Sequence, residues 1–157
     1  MNGSRALAEL DRSFMREALV MADAAAALGE VPVGALVVRG GKIVGRGHNR
    51  SLADHDPSAH AEVIALREAA AEARSFRLDG ATLYVTLEPC LMCCGTLLQA
   101  RVARLVFGAR EPRTGAVVSA FETLMAPGQT HHVAIGEGVL AEDCAARLRR
   151  FFEAVRS

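Results

Sequence analysis

Two short segments, His60-Ala61-Glu62 and Pro89-Cys90-Leu91-Met92-Cys93, constrain this chain more than anything else in it. They supply one imidazole and two thiols at spacings that can close on a single zinc ion. Any fold that allows this must bring two separate pieces of chain to one point. Three protein ligands leave the fourth tetrahedral position open to water, which separates a catalytic zinc from a structural one. Such a zinc lowers the pKa of bound water toward ~7, so that hydroxide forms at neutral pH. Glu62 is not needed as a ligand and is available to exchange protons with that water and with a substrate.

The flanking residues indicate how the donors are presented. Cys90 follows Glu88-Pro89 and precedes the apolar run Leu91 to Leu98, which reads as a buried helix. Cys90 and Cys93 then fall in its first turn, three apart and on one side. The positive end of the helix dipole favours thiolates there. Asp56-Pro57-Ser58 reads as a loop-to-helix junction with Ser58 as N-cap, opening an alanine-rich helix from Ala59 to Arg74. His60 is its first-turn ligand, and Glu62 points elsewhere around the helix.

Two plainer readings fit less well. A structural zinc site recruits four ligands, but the candidate fourth, Cys94, is turned about 100° from Cys93 around the helix. A thioredoxin-like redox pair has no use for His60 and Glu62. Cys94 and Cys144 lie in apolar helical stretches and read as small buried hydrophobes.

The 157 residues suit one domain, 1–157, large enough for a real core. No stretch approaches the length of a membrane span, and no signal peptide is visible. Four cysteines, two committed to metal, point to a reducing compartment and hence the cytoplasm. Lys+Arg and Asp+Glu both total 18, so net charge gives no global electrostatic pull toward nucleic acid. The basic side is arginine apart from Lys42, which suits phosphate recognition but is weak evidence alone.

Phe14, Ala18, Met21, Ala22, Ala25 and Leu28 mark one face of a first helix ended by Gly29. Val33 to Arg39 and Lys42 to Gly47 read as strands around a Gly40-Gly41 hairpin turn. Further strands are expected at Ala81 to Thr86, Val102 to Gly108 and His132 to Ile135, with a short helical piece near Ser119 to Met125. Leu140, Cys144, Leu148, Phe151, Phe152 and Val155 give a last amphipathic helix. Strand, helix and strand in succession imply parallel pairing, and the hairpin adds antiparallel strands. The expected architecture is α/β, a mixed sheet covered by helices on both faces. Both zinc-binding helix starts would lie beyond the strand ends, where ligand sites of α/β folds cluster.

The His-x-Glu and Pro-Cys-x-x-Cys pair is the signature of zinc nucleobase deaminases. Several further stretches make the resemblance specific: Glu30-Val31-Pro32-Val33-Gly34-Ala35, His48-Asn49-Arg50, His55 to Glu62 and Leu83 to Cys90. Val106-Phe107-Gly108-Ala109-Arg110, Arg113-Thr114-Gly115-Ala116, Gly138 to Glu142 and Phe151-Phe152 continue it. In these the chain resembles the bacterial tRNA adenosine deaminases, from about the first helix to the last. The zinc motif alone specifies only the cytidine-deaminase-like superfamily. The segments around Arg110 and Thr114 narrow the match to the tRNA branch.

That resemblance implies a three-layer α/β/α cytidine-deaminase-like fold with a central five-stranded mixed sheet. It implies one zinc per chain on His60, Cys90 and Cys93, with Glu62 as proton shuttle. The activity implied is hydrolytic deamination of the wobble adenosine to inosine in a tRNA anticodon stem-loop, by a homodimer. Asn49 would hold the base by its side-chain amide with help from the Ala61 backbone. Val31, Pro32 and Val33 would wall the pocket. Arg110, Glu111 and Arg113 would stand beside the flanking nucleotides and their phosphates.

The chain departs from the family pattern in three places. Glu111 replaces a common Asp, no basic tail follows Phe151-Phe152, and the first helix has few basic residues. None touches the zinc chemistry. The neutral charge and missing tail suit an alternative, a zinc deaminase of a small free base or nucleoside of the guanine or cytosine type. A non-catalytic zinc-stabilised RNA-binding module is a third reading, against which an intact Glu62 stands.

Overall fold

The computed structural model describes residues 2–156. A five-stranded sheet runs in the order β2-β1-β3-β4-β5, formed by β1 (Gly34–Arg39), β2 (Lys42–His48), β3 (Thr82–Leu87), β4 (Arg104–Ala109) and β5 (Ala134–Glu137). The β1–β2 and β1–β3 pairs are antiparallel, whereas β3–β4 and β4–β5 are parallel. The four helices are α1 (Asn2–Ala27), α2 (Ala61–Ala73), α3 (Leu91–Gln99) and α4 (Ala141–Arg156). This is the mixed five-stranded α/β sheet that the sequence implies.

The central strands are apolar on both sides, because both sides are covered. Ala35, Val37, Leu83, Val85 and Phe107 face one way and pack with Ala65, Leu66 and Ala69 of α2 and Leu97 of α3. Leu36, Val38, Tyr84 and Val106 face the other way, against Met15, Ala18 and Leu19 of α1 and Cys144 of α4. This alternation of successive residues is the two-residue period of a strand. Gly40 and Gly41, at φ 60° and 76°, make the two-residue turn that joins β1 to β2.

Several local expectations shift. The buried face of α1 includes Met15 and Leu19, while Leu28 lies past the helix end and is exposed. The piece near residues 119–125 narrows to a 3-10 turn at Thr123–Met125, and β5 starts two residues late, at Ala134. In α4 only Cys144 is fully buried, and Phe152 and Val155 stay exposed, so its apolar stripe is only partly used. The helix α2 begins at Ala61, not Ala59, and Ser58 does not cap it. Asp56 accounts for this: its carboxylate takes both the Ser58 N–H and the Ser58 hydroxyl at 2.8 Å, closing a turn before the helix.

The start of α2 is fixed from outside. A Cβ on Gly47 would lie 2.3 Å from the Ala61 carbonyl oxygen, so β2 approaches the first helical residue as closely as glycine permits. The Asn49 side-chain oxygen accepts the Ala61 N–H at 3.0 Å and does the work of a cap. Because α2 starts at Ala61, His60 falls at its N-cap position.

Candidate metal and catalytic site

His60 and Cys90 occupy equivalent positions, each the N-cap residue of its helix in extended conformation. The imidazole and the Cys90 thiol approach each other, and the thiol also faces Cys93 of its own helix. Cys93 sits one turn into α3 and is fully buried. The His60 Nδ1 atom lies 3.6 Å from Cys90 Sγ and 3.5 Å from Cys93 Sγ. Tetrahedral zinc, with bonds of about 2.3 Å to sulfur and about 2.0 Å to nitrogen, puts such donors about 3.6 Å apart. All three ligand atoms lie within 4.8 Å of one another, and no other such group of His, Cys, Asp and Glu occurs among the described residues. The donor set fits zinc.

Protons are unequally held in this cluster. The Cys93 thiol donates to Cys90 and lowers it to about 3 against the effect of burial, with help from His60. Cys93 is raised by the same bond and by its burial, and His60 is raised chiefly by its bond to Cys90. A lowered thiolate is what a metal-ligating cysteine requires. Cys94 faces the other way, its sulfur 3.9 Å from the Pro89 carbonyl and 3.7 Å from that of Ala116, and burial pushes it up to about 12. It packs as the small hydrophobe expected, as does buried Cys144.

Glu62 is 4% exposed, and burial raises its carboxyl above the ordinary range. It lies with His60 and Cys90 in a cleft of about 150 Å³. Val31, Val33, Asn49 and Leu87 line one part, and Glu88, Glu111 and Thr114 another. Asn49 ties the Val31 wall to the start of α2, since its Nδ2 donates to the Val31 carbonyl at 3.1 Å while Oδ1 holds Ala61. One Asn49 N–H remains to donate elsewhere. Behind the cleft, buried Glu30 accepts the N–H groups of Leu52 and Ala53 at 3.2 and 2.7 Å and anchors the loop that leads to His60.

The structure thus brings Val31, Val33, Asn49, His60, Glu62, Cys90 and Glu111 to one cleft. Four residues expected to contact substrate stand differently. Pro32 lines a neighbouring cleft of about 390 Å³ with Asp23, Arg147, Arg150 and Phe151. Ala61 is fully buried, and its N–H is already taken by Asn49. Arg110 is held outward by Glu137, with bonds of 2.7 and 3.1 Å. The Arg113 N–H donates to Glu111 Oε1 at 3.0 Å, so its backbone orients the carboxylate that lines the cleft.

Glu88 and Thr114 were not singled out from the sequence. Glu88 reads there only as part of a stop before Pro89. A carboxylate two residues before a metal ligand is the available signal. Apart from the Ser119 hydroxyl its partners are backbone N–H groups, which leave no mark in residue types.

Among the described residues no helix is long and apolar enough to cross a membrane. Residues 8–109 match the family described as the cytidine and deoxycytidylate deaminase zinc-binding region. The chain is 47% identical over 154 residues to a tRNA-specific adenosine deaminase of Haemophilus influenzae, covering 98% of this chain and 89% of that one. A solved structure from work on A-to-I editing by tRNA:A34 deaminases at the wobble position superposes with TM-score 0.84 at 40% identity, over 87% of this chain and 99% of that one. A guanine deaminase from Nitrosomonas europaea superposes with TM-score 0.74 at 27% identity, over 89% and 83%.

Proposed function

We propose a substrate and a division of labour on one premise: the chain belongs to the tRNA-specific adenosine deaminases, zinc-dependent hydrolytic enzymes with the cytidine-deaminase-like fold. The reaction is conversion of the wobble adenosine of a tRNA anticodon loop to inosine, with water consumed and ammonia released. One observation carries it: Glu62 lies beside the His60, Cys90 and Cys93 donors, in a cleft whose walls come from segments of the tRNA branch. An anticodon loop suits such a cleft, because unpaired bases splay out at little cost.

Zinc held by His60, Cys90 and Cys93 supplies a Lewis acid at the reacting centre. Glu62 moves the protons. It accepts one from the attacking water and delivers it to the adenine ring, then takes the second from the hydroxyl now on C6 and passes it to the amine, which leaves as ammonia. Its raised pKa suits a group that must both take and return a proton. Asn49, tied to Ala61, turns its remaining N–H toward the base. Val31 and Val33 flank the base, with Pro32 on the side of the neighbouring cleft. Glu111 meets the flanking nucleotide, and Arg110 and Arg113 meet its phosphates.

The working unit is one domain spanning residues 1–157, paired as a homodimer that extends the RNA surface. Exposed Phe76, which lines an apolar cleft between α2 and α3, and exposed Leu91 and Met92 at the start of α3 support that pairing. The free cysteines and the tRNA substrate favour the cytoplasm. A free purine base is the second reading, favoured by the likeness to guanine deaminase and the small cleft. Mass spectrometry of nucleosides from unmodified tRNA incubated with the protein tests the first reading. Inosine at the wobble position is the expected result. Turnover of free guanine with intact tRNA would replace it by the second.

A further inference from the structure

Glu88 stands between a metal ligand and the far wall of the cleft. It is 3% exposed, and the hydrogen bonds recorded for its carboxylate all come from one loop. Its Oε2 accepts the N–H groups of Val117, Val118 and Ser119 at 3.1, 2.9 and 3.0 Å. Its Oε1 accepts the Glu111 N–H at 3.1 Å and the Ser119 hydroxyl. Convergent backbone N–H groups stabilise a buried anion without a cation, and stripping them away would leave the charge unpaired. The loop also meets the next residue, where the Ala116 N–H donates to the Pro89 carbonyl at 2.8 Å. A Cβ on Gly115 would lie 2.4 Å from Glu88 Cδ, so glycine is what lets the loop close over the carboxylate.

We propose that Glu88 is a positioning residue for the substrate-facing wall. It clamps residues 111–119 to the Pro89-Cys90 turn and, through the Glu111 N–H, sets where Glu111 and Thr114 stand relative to Glu62. The inference rests on the reading of Glu111 as a nucleotide contact.

The two oxygens are not equivalent, which makes the idea testable. In Glu88→Gln the Oε2 position faces three N–H donors and must remain oxygen. The new amine takes the Oε1 position, where the Ser119 hydroxyl can turn to accept it. The Glu111 N–H is then left opposite a donor. The substitution therefore loosens Glu111 and leaves residues 117–119 held.

With zinc-loaded protein, residue-resolved amide exchange should be faster at Glu111 and unchanged at Val117 to Ser119. KM for an anticodon stem-loop should rise about tenfold with kcat within about threefold, the signature of lost positioning of bound substrate. Adding Glu88→Gln to Glu111→Gln should then leave KM where Glu111→Gln alone puts it. Independent multiplication of the two effects, or a fall in kcat at constant KM, overturns the proposal. If Glu88→Gln fails to fold, Ser119→Ala removes one Oε1 partner only. It should raise KM about threefold with the same lack of additivity, and an unchanged KM overturns the idea. If the unaltered protein ignores the stem-loop, the reading of Glu111 fails, while the exchange data still decide whether the clamp exists.

Discussion

The Asn49 side chain bonds two segments at once, accepting the Ala61 N–H at 3.0 Å and donating to the Val31 carbonyl at 3.1 Å. It sets the entry of the helix that carries His60 and Glu62 against the wall that faces them. Asn49→Ala should therefore cost both stability and turnover. Loss of the cap alone costs about 1 kcal/mol. Asn49→Asp keeps the acceptor for Ala61 but cannot donate to Val31. It should recover part of the stability and little of the activity. Thermal unfolding and steady-state kinetics on the two variants check this, and equal activity in both would remove the role given to the amide.

Glu62→Gln should abolish most turnover and keep the metal. A positioned general acid–base contributes about 10²–10⁴-fold, so a rate loss in or above that range is expected. His60→Ala, by contrast, should lose zinc and activity together. Zinc content measured beside rate separates the two roles. Metal loss in Glu62→Gln equal to that in His60→Ala would make Glu62 a ligand.

The adjacent cysteines should behave oppositely. Cys94→Ala removes a buried core sulfur whose hydrogen-bond partners are carbonyl groups, for a packing cost of about 1 kcal/mol and no loss of zinc. Cys93→Ala removes a donor 3.5 Å from His60 Nδ1 and should empty the site. Removing zinc with a chelator should also lower the unfolding temperature of the unaltered protein, because the unfolded chain has no organised site. Zinc loss in Cys94→Ala with retention in Cys93→Ala would reverse the assignment.

How much of this was legible follows from the kind of interaction involved. The donors His60, Cys90 and Cys93 are readable because the chemistry demands residue types at set spacings. The sheet is readable because runs such as Leu83 to Val85 are apolar at every position, as strands covered on both faces must be. The start of α2 was misplaced by two residues because Ser58, Asp56 and Asn49 all have capping chemistry. Which one caps depends on where β2 lies, a tertiary fact. Glu88 is hidden for a related reason, since four of its five donors are backbone N–H groups, which any sequence can supply. The apolar stripe of α4 was readable, but not how little of it this chain covers by itself.

A second charge cluster lies on the opposite face of the sheet. Asp11 accepts Arg104 at 2.8 and 2.6 Å and the Tyr84 hydroxyl at 2.7 Å. Burial alone would raise the Asp11 carboxyl, but the bonds from Arg104 and Tyr84 and the Arg104 charge outweigh it, and the net shift is downward. A carboxyl lowered on folding adds stability above its unfolded pKa of about 3.9, and that stability is lost as pH falls through the folded value. Asp11→Asn should cost about 2–3 kcal/mol at pH 7, below the range for a fully buried pair because Arg104 is a quarter exposed. Urea midpoints taken from pH 7 downward should show the two proteins converging below about pH 4. Parallel curves would mean that the pair adds nothing to acid sensitivity.

The substrate class is tested most directly by salt. If an anticodon stem-loop is bound, arginines beside Glu111 meet phosphates, and each contact adds about 0.7 to the slope of affinity against salt on a logarithmic scale. The two candidates are not equal. Arg110 is held by Glu137 through two bonds and must leave that partner to reach a phosphate. Among the described residues, Arg113 is engaged through its backbone, which donates to the Glu111 carboxylate. Arg113→Gln should flatten the slope by nearly a full contact, and Arg110→Gln by less. Turnover of a free base, which carries no phosphate, should respond to neither change. Stem-loop binding with a slope indifferent to both arginines would place the RNA on another surface, and salt-independent turnover of a free base without RNA binding would establish the small-molecule reading.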